Sequence, residues 1–467
     1  MKQRLVEYLS GDEAAGLLHT EAAKLGATEF ARVRNLDYVF APFELYPLAP
    51  RVTPPLERIA AFAVDMDGTS TTTEPLALHA LEYMVRRFTG RLDRAAWPGL
   101  DPHADYPYVI GNSNFRHTEF LLERYGDALD RAALCQAFGE AVLWTLACMT
   151  DEHRRREVVH NARACGLGAL LDDDEFRRLV ASGQVNAESV GDLVRPLLAR
   201  YASAFRDEPH VVRVSVALDV YYLRYHSTLR KMEQGAGNAL SRELLGDASR
   251  HLVEPMPGYA VFVPLVRGWL GAEAAALFEP LREALLADPR KHWSSAQVDA
   301  WRPRLARLGT HFARHPAKLA LVTASTAYEA HAVMKEILRL VAAEAATWPV
   351  SNECKERLAE KLADLHTVFD GFVDASAAHE ARLKPHRDLY SIALYQMSLP
   401  RADYPYCVGL EDTEPGIVAL RAAGVGCAVA LPNRDTGGQD YTAAAKIIHG
   451  GLPELILAEN LLLREAP

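Results

Sequence analysis

The chain has 467 residues, 49% of them hydrophobic, and a formal net charge of −10. That length can bury a large core and calls for two or three domains, while the negative balance offers no general field to gather nucleic acid or an anionic membrane surface. The opening residues lack the apolar core of a secretion signal, and no later segment approaches about 18 uninterrupted apolar residues, so a soluble, cytoplasmic protein is expected.

In chain order, residues 1–57 read as an N-terminal extension. It has a helical pattern from Glu13 to Leu25 and a Pro-rich stretch from Pro42 to Pro55 that is expected to end any regular element. An apolar run, Ile59 to Val64, then stops abruptly at Asp65-Met66-Asp67-Gly68-Thr69, as a buried parallel strand stops in a functional loop. The pattern recurs: Leu319 to Val322 runs into Thr323-Ala324-Ser325, Phe372-Val373 into Asp374, Tyr406 to Leu410 into Glu411-Asp412, and Cys427 to Leu431 into Pro432. Helical stretches such as Glu329 to Ala343 and Pro415 to Ala423 lie between the runs, which predicts an α/β core: a Rossmann-like parallel sheet with helices on both faces. Ligands of such sheets bind beyond the carboxyl ends of the strands. The expected core covers 58–76 and 255–467, with an extra helical stretch at about 270–312. Residues 77–254, with long amphipathic patterns (Leu78 to Phe88, Glu119 to Tyr125, Val214 to Met232) and almost no strand signal, read as an inserted helical domain. The six cysteines are scattered without a CxxC pair, so neither a thiolate zinc site nor a disulfide framework is signalled.

Two aspartates at i and i+2 of an extended segment can share one side, and Gly68 lets the chain turn sharply after them. One carboxylate can then attack phosphorus while the other protonates the leaving oxygen; taken alone, the same Asp-x-Asp-Gly is also a common turn or calcium-loop fragment. Four motifs in order extend the pattern: Asp65-Met66-Asp67-Gly68-Thr69 continuing to Thr73-Glu74-Pro75-Leu76; Thr323 with Ser325; Lys384-Pro385 followed by Asp388 and Tyr390; and Gly409-Leu410-Glu411-Asp412-Thr413-Glu414-Pro415-Gly416 continuing to Ala422-Ala423-Gly424. Together they resemble the haloacid dehalogenase superfamily of phosphatases and phosphomutases, especially the subgroup similar to beta-phosphoglucomutase. The similarity spans about 59–76 and 255–455, with 77–254 in the place of a type 1 cap.

The resemblance implies an Mg²⁺-dependent phosphomonoester phosphatase acting through an aspartyl-phosphate on a small, sugar-like or other metabolite phosphate. Asp65 would be the nucleophile and Asp67 the acid/base. Lys384 would neutralise the carboxylate–phosphate pair, and Thr323 would donate its hydroxyl to a phosphate oxygen. Asp65, the backbone carbonyl of Asp67 and Asp412 would hold the metal, with Glu411 either a further ligand or a partner of the ligands. For substrate, Ser325 either contacts phosphate or caps a helix. In the inserted domain Gly111 and Asn112 belong to a polar turn similar to the subgroup's specificity loop, where Asn112 can equally be an N-cap. Arg116 either forks onto a second anionic group or is a surface arginine in a helix's first turn. His226, Arg230 and Lys231, like Arg154-Arg155-Arg156, read as solvated faces. The chain departs from the family in its long cap, the 270–312 stretch and the extension. The hinge histidine of the mutases is replaced by Ala77, with His79 two places off. A hexose-phosphate mutase is the nearest enzymatic alternative; a catalytically inactive binding or scaffold protein is the alternative from another class.

Overall fold

The computed structural model describes residues 9–35, 40–93, 95–109, 114–247, 250–290, 293–377 and 382–464. It divides into two units: Met1–Thr71, Pro255–Ala330 and Ile337–Pro467 form the first, and Thr72–Glu254 with His331–Glu336 form the second.

The first unit is built on a sheet of six parallel strands. Numbering strands along the chain, β1 (Phe30–Arg34) and β2 (Phe43–Pro47) form a separate antiparallel hairpin; the sheet contains β3 (Ala61–Asp65), β4 (Lys318–Val322), β5 (Gly371–Val373), β6 (Cys407–Glu411), β7 (Cys427–Ala430) and β8 (Lys446–Ile447), in the order β8-β7-β6-β3-β4-β5. The expected α/β architecture is thus the one observed. Each of the five predicted apolar runs is a strand, and β3 is buried along its whole length, as a parallel strand covered on both faces must be. Ala61, Ala63, Ala320 and Val322 pack with Ala393, Ile417 and Leu420, whereas Phe62 meets Phe262 edge-on, with ring centroids 5.2 Å apart. A Cβ at Gly409 would lie 2.5 Å from a methyl of Leu420, so glycine is what allows the helix Glu414–Ala423 to approach β6 so closely.

Chain order moves outward from β3 through β4 to β5, then crosses to the other side of β3 for β6, β7 and β8. The carboxyl end of β3 therefore lies at the reversal of strand order, where a crevice opens between diverging connections.

Two expectations need correction. The Pro-rich stretch does not end regular structure: Phe43-Glu44-Leu45-Tyr46 alternates outward and inward residues and pairs with β1, because the prolines fall at or beyond the strand ends, where a missing N–H is tolerated. Strand β8, only two residues long, escapes any apolar-run criterion. The extension is tied to the sheet unit through Arg421, whose buried guanidinium donates to the carbonyls of Ala49 (3.2 Å from Nε) and Ala443 (3.1 Å) and to Glu29 Oε2 (2.7 Å).

The second unit is helical apart from its two-residue strand contacts. Helices Glu74–Thr89, Arg131–Cys148 and His210–Lys231 bury long apolar faces. Arg154 and His226, expected on solvated faces, are buried. Arg154 pairs with Asp219 at 2.5 Å, stacks its guanidinium over Tyr222 at 4.0 Å, and shares Asp219 with Asn161 (2.8 Å). A desolvated arginine paired in this way is a packing element, and a run of three arginines does not reveal which member turns inward.

Replacing Arg421 with Met should leave the Ala49 and Ala443 carbonyls without their donor and lower unfolding stability by about 3 kcal/mol, read as a shift of the urea midpoint.

Candidate functional site

The site grows from the ends of β3, β4 and β6. Asp65 is the last residue of β3, and beyond it the chain turns back through a tight set of bonds: Ser70 Oγ donates to the Asp65 carbonyl at 2.7 Å, and the Ser70 and Thr71 amides both reach the Met66 carbonyl at 2.9 Å. Gly68 supports the turn with φ of 82°, and a Cβ there would lie 2.3 Å from Asp412 Oδ2. Glycine is required on both counts.

The turn aims Asp67 at the end of β4. Thr323 donates its hydroxyl to Asp67 Oδ2 at 2.9 Å, and Ser325 Oγ approaches the same oxygen at 3.3 Å. Thr323 Oγ1 in turn accepts the Ser325 amide at 2.9 Å. Here Thr323, expected to contact phosphate, and Ser325, expected either to contact phosphate or to cap a helix, hold the second aspartate.

On the other side, β6 delivers Glu411 and Asp412. Carboxylate oxygens of Asp65, Glu411 and Asp412 all lie within 4.8 Å of one another, and the three residues are no more than 5% exposed. Lys384 reaches into this cluster. Its ammonium bonds Asp65 Oδ1 and lies 2.7 Å from Glu411 Oε1. Glu411 is held on both oxygens, by Tyr390 on Oε1 (2.6 Å) and by the Thr413 hydroxyl on Oε2 (3.0 Å). Asp412 accepts from Asn433 Nδ2 (2.9 Å) and Thr69 Oγ1 (3.3 Å), and its carbonyl takes the Tyr441 hydroxyl.

Three buried carboxylates face one ammonium. Burial first, and the nearby Glu411 second, push the Asp65 carboxyl well above the usual range, against the pull of Lys384. Burial would lower the Lys384 ammonium, but Asp65 and Glu411 outweigh it and hold it above its ordinary value. Burial, then Glu411, also keeps the Tyr390 phenol protonated and donating. An oxygen-only cluster with uncompensated negative charge is suited to a hard divalent cation.

Asn433 and Tyr441 were not anticipated. Asn433 follows β7 by three positions, so the rule that pointed to the other strand ends could have found it; Tyr441 carries no such signal. The 270–312 stretch also touches this region: Arg290, gripped by Asp288, donates to the Pro432 carbonyl at 2.7 Å, next to Asn433. In the second unit, Arg116 pairs with Glu119 at 2.5 Å in the first turn of the helix Asn114–Tyr125. Gly111 and Asn112 lie outside the described residues.

No protein-family model matches the chain, and no curated protein matches it. Among solved structures the chain is similar to CbbY from Rhodobacter sphaeroides in complex with phosphate, with 13% identity over 85% of this chain and 96% of that one and a TM-score of 0.34. It is also similar to a HAD family hydrolase from Deinococcus radiodurans R1 with bound phosphate and sodium (15% identity, 88% and 100% covered, TM-score 0.36). A third is beta-phosphoglucomutase from Clostridium difficile (13%, 86% and 96%, TM-score 0.31).

Glycine at 416 is the most exacting small-residue position of the site, because a Cβ there would lie 1.9 Å from Glu411 Cδ. Gly416→Ala should destabilise the fold by about 2 kcal/mol and free Tyr390 from Glu411, seen as a lowered melting temperature with a changed tyrosine absorbance spectrum.

Proposed function

We propose that this chain is a Mg²⁺-dependent phosphomonoester phosphatase acting through an aspartyl-phosphate on a small phosphorylated metabolite. The observation that carries the reading is the division of labour between Asp65 and Asp67. They leave the same strand end two residues apart, yet Lys384 holds one and hydroxyls hold the other.

Of the two Asp65 oxygens Lys384 bonds Oδ1, and among the described residues no hydrogen bond falls on Oδ2, which is left as the attacking atom. As Oδ2 forms its bond to phosphorus, the ester bond breaks and Asp67 gives a proton to the departing alkoxide. Asp67, now a carboxylate, takes a proton from the water that attacks the acyl-phosphate; phosphate leaves and Asp65 is regenerated. The hydroxyls of Thr323 and Ser325 hold Asp67 Oδ2 and so keep the acid pointed at one place through both steps. Lys384 compensates the negative charge gathering around Asp65.

Asp65, Asp412 and the Asp67 backbone carbonyl are the residues that would hold Mg²⁺, and the bound ion would supply positive charge to the phosphoryl oxygens. Glu411, with both oxygens engaged, fits the part of holding Lys384 better than that of a ligand. Two residues weigh against the mutase alternative: Ala77 stands where the resemblance places the mutases' hinge histidine, and His79 Nε2 lies 2.7 Å from Arg224 Nε.

Magnesium should raise the melting temperature relative to EDTA, and by more as pH rises. The native state binds the Asp65 proton more tightly than the unfolded chain, so metal-free stability falls as pH climbs through the raised value, and the proton that competes with the cation is lost over the same range. An Mg²⁺ effect that is flat across that range would refute the assignment.

Phosphate release from an activated aryl phosphate and a panel of metabolite phosphates, with Mg²⁺ and with EDTA, tests the chemistry. Asp65→Asn should abolish metal-dependent turnover. Asp67→Asn should slow alkyl phosphates about 100-fold or more but the aryl ester much less, because a good leaving group needs little protonation. Equal background from the native chain and Asp65→Asn would defeat the reading.

A further inference from the structure

Asp65 and Glu411 end strands, and Asp67 and Asp412 follow within two residues of a strand end, whereas Lys384 stands 11 residues beyond the end of β5. It sits in the segment 382–387, between β5 and the helix Asp388–Gln396, and its ammonium must nonetheless meet Asp65 and Glu411 together. The segment is drawn into a loop by its own bonds: the Arg382 amide donates to Asp388 Oδ2 at 2.9 Å, and the His386 amide to the Leu383 carbonyl at 3.1 Å. What fixes that loop from outside is β2 of the N-terminal hairpin.

Glu44 and Tyr46 stand at i and i+2 of β2, hence on one face, and each grips one side of Lys384. Arg382 Nη1 lies 2.8 Å from both carboxylate oxygens of Glu44. Two residues beyond Lys384, His386 Nδ1 lies 2.6 Å from the Tyr46 hydroxyl, which also lies 2.5 Å from Glu44 Oε2. The single hydroxyl proton goes to the carboxylate, so the tyrosine oxygen accepts from His386 Nδ1–H. Burial, then Glu44, pushes the Tyr46 phenol up to about 12, which keeps that proton in place.

We infer that Glu44 and Tyr46 are positioning residues: the hairpin clamps Arg382 and His386 on either side of Lys384 and thereby sets where the ammonium meets Asp65. The inference rests on the phosphatase reading only for its effect on rate; the clamp itself is independent of it. The N-terminal extension then becomes a working part of the site, since removing it would take away the partners that Arg382 and His386 find outside the loop.

The test compares Tyr46→Phe and Glu44→Gln with the native chain and with Glu29→Gln, which touches Arg421 and Arg51 but not the loop. Two readouts are taken: kcat and KM on the aryl phosphate, and the rate at which an amine-acylating reagent labels Lys384 in the folded protein, relative to the exposed Lys24. Both clamp variants should lower kcat about tenfold with little change in KM, as expected for a displaced charge and not for lost binding, and label Lys384 several-fold faster. Glu29→Gln should do neither, whatever its effect on melting. Native labelling or native kcat in both clamp variants overturns the inference. If the native chain turns nothing over, the phosphatase reading fails and labelling alone decides whether the clamp exists.

Discussion

Everything at this site follows from a surplus of buried negative charge. Asp65, Glu411 and Asp412 converge where the strand order reverses, and among the described residues a single ammonium, that of Lys384, bonds into them. Water would compensate such charges; a desolvated pocket cannot, so the carboxyl at its centre is pushed well above its ordinary range. The arrangement is poor for stability and good for capture, because the same surplus that strains the free protein is relieved by a bound cation. The surrounding bonds are consistent with that division. Tyr390, Thr413, Asn433 and Thr69 fix the orientation of the carboxylates without neutralising them.

A second constraint is positional. Strand ends place Asp65, Thr323, Glu411 and Asp412 with the precision of the sheet, since neighbouring strands are in fixed register: Asp65 stands opposite Val322, and Val64 opposite Leu410. Groups on loops lack that guarantee. Lys384 and Asn433 are such groups, and each lies beside a contact from a segment outside the six-stranded core: the hairpin at Arg382 and His386, and Arg290 at the Pro432 carbonyl. Rigid support reaches the sheet-borne groups from within the fold and the loop-borne ones from its additions.

Legibility in the sequence tracked the range of the physics. Five sheet strands were readable because a strand buried on both faces is apolar throughout, a local property. Asp65, Asp67, Thr323 and Asp412 were readable because they stop those runs. Strand β8 is too short to leave a pattern, and the hairpin was hidden by prolines that lie at its strand ends and not within its ladder. Arg154 and His226 were misread because burial of a polar residue depends on partners distant in sequence, here Asp219 for Arg154, and no local window contains them. The same holds for Tyr441, whose bond to the Asp412 carbonyl spans 29 residues.

Glu411 shows why the charge surplus is retained. A buried acid could be replaced by an apolar residue of similar size with little loss of stability, or even a gain. Here, however, Glu411 has three partners, Lys384, Tyr390 and Thr413, and the first turn of the helix behind it holds Gly416, whose missing Cβ leaves room for its carboxylate. An apolar replacement would leave Lys384 with Asp65 alone, free to swing about a single contact. With Glu411 present, the ammonium is fixed between two carboxylates and only one oxygen of Asp65 is occupied. That leaves Asp65 Oδ2 without a hydrogen bond among the described residues, as the proposed nucleophilic role would require, and the surplus charge is the consequence of keeping it so.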